Sequence, residues 1–74
     1  MHPADIKAAL EKRGYLLSDV ARGLGLRRHA VSMIVRGHGR SRRVAREISR
    51  LTCIPVAQLW PGQYPDIEAE ERLA

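Results

Sequence analysis

The segment LSDVARGLGLRRHAVSMIVR, residues 17–36, has the pattern of two short helices joined by a tight turn. Apolar residues at helical spacing form one stripe before Gly25 and a second stripe after it, so each half can bury one face. These residues are Val20, Ala21 and Leu24, followed by Val31, Ile34 and Val35. Gly25 suits the left-handed conformation that ends a helix, and Leu26 is expected to return to the core. We therefore predict helices at about residues 17–24 and 28–36.

The exposed face of the second predicted helix is cationic. At the angular spacing of a helix, Arg28, Ser32 and Arg36 share one face, with His29 and Met33 beside them. No acidic residue occurs in this helix or in the connector that follows it, whereas a solvated helix without function usually mixes acidic and basic side chains. This composition favours a surface that contacts a polyanion.

The net charge of +5 is concentrated in the middle of the chain. Residues 13–50 contain ten Arg and only two acidic residues, while the segments on either side carry no positive excess. Arginine suits bidentate contacts with phosphate and with the guanine edge. A nucleic acid is therefore the expected partner.

Length and composition restrict the class of protein. A chain of 74 residues allows one small domain, and its apolar residues are mainly Ala, Val, Leu and Ile with no Phe, which favours helices over strands. The single Cys excludes an internal disulfide, and no apolar run is long enough to span a membrane. We find no secretory signal, nucleophile motif or zinc-ligand spacing. We therefore expect a cytoplasmic protein that is not an enzyme and needs no metal or cofactor.

The remaining segments predict an all-α fold, a compact bundle of four to five short helices. Pro3 opens a first helix that Gly14 ends, and Ser41 caps a fourth helix that runs to about Thr52 with Val44, Ile48 and Leu51 buried. A short fifth helix at residues 56–60 completes a domain of residues 1–64. Residues 65–74 are expected to be an acidic tail or a frayed helix.

Two pairs of arginines stand at predicted helix starts, where cations oppose the helix dipole. Arg27 and Arg28 open the second of the two helices predicted in residues 17–36, and Arg42 and Arg43 open the next helix. One interpretation is a solvated charge run. The interpretation that we favour is that a phosphate binds at each helix start, beside the arginine side chains. Arg40, in the connector between these helices, belongs to the same basic segment.

Several side chains have competing interpretations. Met33 is either a core residue or an apolar contact for a thymine methyl group, with little to choose between the two. Trp60 and Tyr64 could stack on a base, but packing over a core without Phe is the commoner role. Cys53 lies between a periodic helix and Ile54-Pro55, and we predict that it ends the helix in a left-handed conformation.

Residues 17–36 and the segments on either side of them resemble a known group of proteins. Val20-Ala21, Leu24-Gly25-Leu26, Val31 and Ile34 are similar to the helix-turn-helix of lambda-repressor-like regulators. The segments HPADIKAALEKRG, residues 2–14, and LWPGQY, residues 59–64, resemble the Ner-like regulators of Mu-type phages and their bacterial relatives. The similarity covers about residues 2–64.

This resemblance implies a sequence-specific transcriptional regulator that binds double-stranded DNA with helix 28–36 in the major groove. Repression is the expected direction of control, and a homodimer on DNA is an assembly that the resemblance leaves open. Together with the arginine positions above, it gives the predicted DNA-contacting residues as Arg27, Arg28, His29, Ser32, Met33, Arg36, Arg40, Arg42 and Arg43.

Two other classes of function compete with DNA binding. An RNA-binding domain would usually expose aromatic stacking surfaces, and here the aromatic residues lie outside the basic segment. A protein-interaction module, such as an antitoxin-like domain, would use the basic face to contact an acidic partner.

Overall fold

The computed structural model, which describes residues 1–74, contains six helices and no strand. The helices are α1 (Pro3–Lys12), α2 (Leu17–Leu24), α3 (Arg28–Val35), α4 (Arg42–Thr52), α5 (Val56–Leu59) and α6 (Pro65–Leu73). The all-α fold predicted from the sequence is confirmed, with one helix more than the four to five expected. The additional helix is α6, in the segment for which the sequence left a tail or a frayed helix open.

One core of fifteen buried apolar residues joins all six helices. Both stripes of the motif segment contribute to it, through Val20 and Ala21 from α2 and Val31 and Val35 from α3. The six helices enclose this core in a molecule of 31 × 23 × 21 Å. Because α2 and α3 each bury one face, the opposite face of α3 is left on the surface.

Four residues predicted for the core lie at its edge, and two of them, Leu24 and Ile34 of the apolar stripes, are only half-buried. Leu26 is 36% exposed, and its backbone N–H donates to the Ala21 carbonyl at 2.8 Å, which closes the end of α2. In α4, Leu51 is only half-buried. Thr52 takes the buried position instead, and its hydroxyl donates to the Ile48 carbonyl at 2.8 Å.

The helix ends follow the sequence signals closely. Gly25 ends α2 with φ 69° and ψ 30°, and Cys53 ends α4 with φ 58° and ψ 29°, so both predicted left-handed residues are confirmed. The Ser41 hydroxyl accepts from the Val44 N–H at 3.2 Å and caps α4. Asp19 lies in the first turn of α2, where its carboxylate accepts from the Leu16 N–H at 2.8 Å.

Trp60 and Tyr64 pack in the core, as the commoner interpretation predicts. Their rings meet edge to face with centroids 5.8 Å apart, and both side chains are buried. The indole N–H of Trp60 donates to the Val35 carbonyl at 3.2 Å. The contact ties the last turn of α3 to the segment after α5.

Candidate nucleic-acid interface

The predicted contact residues of α3 lie along its solvent side. Arg28 and His29, at the start of the helix, are exposed, and so is Arg36 at its end. Ser32 and Met33 between them are half-buried, which leaves Met33 between a packing and a surface role. Arg27, the residue immediately before the helix, is exposed as well.

The N-terminus of α3 has free hydrogen-bond donors. The N–H groups of Arg28 and His29 donate to no acceptor in the protein, and no side chain caps the helix. The first turn also contains no acidic residue. Free N–H groups at a helix N-terminus attract anions, and the guanidinium groups of Arg27 and Arg28 add full charges at the same end.

Some arginines outside α3 form ion pairs with acidic side chains, whereas the arginines in and beside α3 form none. Four arginines form ion pairs, namely Arg22 with Asp19 at 3.3 Å, Arg42 with Asp66 at 2.5 Å, Arg46 with Glu70 at 3.0 Å and Arg50 with Glu47 at 2.8 Å. Arg27, Arg28 and Arg36 form none. The uncompensated positive charge is therefore greatest along α3.

The ion pair between Arg50 and Glu47 within α4 lowers the pKa of the Glu47 carboxyl. Both Arg50 nitrogens donate to Glu47, at 2.8 and 2.9 Å. These hydrogen bonds lower the pKa of the Glu47 carboxyl below its ordinary value, and the positive charge of Arg50 acts in the same direction. The carboxylate stays charged at neutral pH and offsets Arg50, so this turn of α4 adds little to the positive surface.

A cleft between α1 and α3 brings three predicted contact residues together. Arg28, Ser32 and Arg36 line it on the α3 side, and Lys7 lines it on the α1 side. Lys7 was not predicted from the sequence, because the charges of α1 cancel when they are summed along the helix. Residues two apart point about 200° apart on a helix, so a count by helical face would have separated Lys7 from Asp5.

Three predicted arginines further along the chain, Arg40, Arg42 and Arg43, do not line this cleft, and neither does Arg27. Arg40 and Arg42 line a second cleft together with Gln63 and Asp66. Arg42 is paired there with Asp66. The Arg43 guanidinium donates to the Leu24 carbonyl at 3.1 Å and so connects the start of α4 to the end of α2. All three side chains are exposed, but each already has a partner within the protein.

No helix is long and apolar enough to cross a membrane. No group of three or more His, Cys, Asp or Glu side chains is placed to hold a metal ion. The exposed side chains of α3 can form hydrogen bonds and ion pairs with an anionic partner.

Comparison with known proteins identifies a family for the chain. A family model described as winged helix-turn-helix DNA-binding matches residues 1–73. The match spans all six helices, including α2, α3 and the turn between them. No curated protein and no solved structure matches the chain.

Proposed function

Because the chain belongs to the winged helix-turn-helix DNA-binding family, we propose that it is a sequence-specific transcriptional regulator that inserts α3 into the major groove of double-stranded DNA. The observation that carries this proposal is the solvent side of α3, where Arg27, Arg28 and Arg36 have no ion pair and the first two N–H groups have no acceptor. A duplex supplies both the phosphates and the base edges that such a surface can bind.

Within this proposal, base edges are read by the α3 side chains that face solvent. Arg28 and Arg36 suit the O6 and N7 atoms of guanine, and Ser32 and His29 offer further hydrogen bonds. Met33 would contact a thymine methyl group. Because the two arginines are eight residues apart on one helix, the site is expected to contain G at two separated positions.

The remaining arginines are proposed to contact phosphates. Arg27 adjoins the free N–H groups of α3, and Arg40 follows the helix in the connector. Arg42 and Arg43 stand at the start of α4, where Arg42 must exchange Asp66 for a phosphate. Such an exchange is feasible because an exposed ion pair contributes about 1 kcal/mol or less.

We also propose a finer assignment, to the Ner-like regulators within the helix-turn-helix class. It is supported by residues 2–14 and 59–64, which resemble those regulators. In this assignment residues 1–64 are the DNA-binding part, the protein is a repressor without enzymatic activity, and it acts in the cytoplasm. A homodimer on DNA would read two half-sites about 10 base pairs apart.

Selection from a random duplex library by gel shift tests the proposal. Sequencing of the bound molecules should show one enriched duplex sequence with G at two positions. Single-stranded RNA of matched length should compete weakly. Preference for RNA, or binding of neither nucleic acid, would favour an RNA-binding domain or a protein-interaction module instead.

A promoter that carries the enriched sequence tests the direction of control. Fused to a reporter gene, it should lose activity when the protein is expressed and should keep it when the enriched sequence is scrambled. An increase in reporter activity would identify an activator.

A further inference from the structure

The segment after α5 holds the connector between α3 and α4. Three side chains of residues 60–64 bond to the backbone of residues 35–41. The Trp60 indole donates to the Val35 carbonyl at 3.2 Å, the Gln63 amide donates to the Gly37 carbonyl at 3.3 Å, and the Tyr64 hydroxyl accepts from the Ser41 N–H at 3.1 Å. The connector therefore has a defined path, although the sequence around Gly37 and Gly39 suggests a flexible one.

Gln63 is the member of this group that also contacts a charged side chain. Its amide oxygen accepts from the Arg40 Nε at 3.3 Å, while its amide nitrogen donates to the Gly37 carbonyl. Both polar atoms of the half-buried Gln63 amide are thus used. The two Nη groups of Arg40 have no partner in the protein.

The close approach of Gln63 depends on the glycine at position 37. A Cβ at this position would lie 3.0 Å from the Gln63 Nε2 atom, and the backbone there has φ +79°, in the left-handed region. Any other residue at position 37 would strain the backbone and displace the amide. The position of the Gln63 amide therefore depends on the glycine in the connector.

We propose that Gln63 is a positioning residue, which holds Arg40 so that its two free Nη groups can bind a DNA phosphate at the end of α3. This inference rests on the proposed function, because it takes the ligand to be duplex DNA. A phosphate suits this arrangement, since a guanidinium fixed at Nε still has a donor on each Nη for bidentate contact. Fixing a long side chain before binding lowers the entropy that is lost when the complex forms.

The first test uses the free protein and needs no DNA. Nitrogen-15 relaxation of the arginine Nε groups should show Arg40 more ordered than Arg27, an exposed arginine without a side-chain partner. In Gln63→Ala, Arg40 should become as mobile as Arg27, while circular dichroism confirms that the helices are retained. Unchanged order at Arg40 in this variant would overturn the proposal.

The second test is a double-mutant cycle on the selected duplex. Gln63→Ala should weaken binding about three- to tenfold, and Arg40→Lys, which keeps the charge but removes Nε, should weaken it by a similar factor. The double variant should bind no more weakly than the weaker single variant, and the base preference should stay unchanged. Arg40→Lys changes only an exposed side chain, so the cycle remains informative if Gln63→Ala lowers stability.

Additive losses in this cycle would overturn the positioning role, because Gln63 would then act independently of Arg40. If the wild-type protein bound no duplex at all, the proposed function would fail. The relaxation measurement would still decide whether Gln63 holds Arg40.

Discussion

Cys53 ends α4 in the left-handed backbone conformation that glycine adopts at least cost. Its φ of 58° is the only positive φ at a residue other than glycine. The exposed thiol makes two weak contacts, accepting from the Arg13 guanidinium at 3.5 Å and donating to the Arg50 carbonyl at 3.9 Å. A side chain with so few contacts offsets little of the strain that its Cβ creates.

We predict that Cys53→Gly is neutral or stabilises the protein by up to about 1 kcal/mol. Removal of the Cβ strain favours the folded state, and the added freedom of the unfolded chain opposes it. Thermal unfolding at neutral pH measures the balance. Cys53→Ala serves as the control, since it keeps the Cβ and removes only the thiol, and it should not stabilise. Clear destabilisation by glycine, absent in the alanine variant, would contradict this account of the helix end.

The arginines in and beside α3 and those of α4 differ in their electrostatic surroundings. The α3 arginines at positions 28 and 36 have no ion pair, whereas Arg46 on α4 is held by Glu70 at 3.0 Å. Two helices of one protein therefore provide a matched comparison between an arginine free to bind DNA and one that is already paired.

We expect Arg28→Ala to weaken binding to the selected duplex by about 1 to 3 kcal/mol and to relax the preference at one base pair. Arg46→Ala removes the same charge from a helix that we place outside the groove. This variant should bind the selected and the scrambled duplex slightly more weakly than the wild-type protein does, by the same factor for both. Binding isotherms on both duplexes distinguish the two effects. Relaxed base preference in Arg46→Ala, with none in Arg28→Ala, would mean that the wrong helix has been placed in the groove.

The acidic helix α6 offsets a positive charge at the start of α4, because its Asp66 pairs with Arg42. Asp66→Asn should free Arg42 and strengthen binding to duplexes of any sequence about two- to fivefold, because an exposed ion pair contributes about 1 kcal/mol or less. Glu11→Gln makes the same change in net charge on α1, where the carboxylate pairs with no arginine. Equal gains from both variants in a binding titration would show a general charge effect and no role for this pair.

The helices differ in how far they can be predicted, because their stabilisation has different sources. The periodic stripes of α2 and α3 and the glycine between them are local signals, so both helices follow from the sequence. Helix α6 depends on distant contacts. Its Ile67 enters the common core, and its Glu71 carboxylate accepts from the Val56 and Ala57 N–H groups at 2.6 and 3.0 Å. An acidic segment with few apolar residues does not reveal such partners.

The residues of the candidate site also differ in whether local sequence signals predict them. The cationic side of α3 follows from helical spacing, because Arg28, Ser32 and Arg36 are close in sequence. Lys7 and Gln63 could not be assigned in this way. Each reaches the basic surface from another element, and only the packed structure brings Lys7 to the α3 cleft and Gln63 to Arg40.

Over the whole molecule, the ion pairs are distributed unevenly among the arginines. Asp66 and Glu70 of α6 pair with arginines of α4, and Glu47 pairs with Arg50 within α4. Seven arginines form no ion pair, and four of these lie in α3, at its two ends and in the connector that follows it, where they can attract a polyanion. The largest group of arginines without an ion pair therefore belongs to α3, its two ends and the connector.

The most direct test of this account is the affinity for the selected and the scrambled duplex, measured by fluorescence anisotropy over a series of salt concentrations. With about five phosphate contacts for each protomer, log K should fall with log salt at a slope of about −4 to −5 for both duplexes. At every salt concentration the selected duplex should bind at least about a thousandfold more tightly. A slope near zero, or equal affinity for the two duplexes, would contradict the claim that the α3 surface is a sequence-specific reader of DNA.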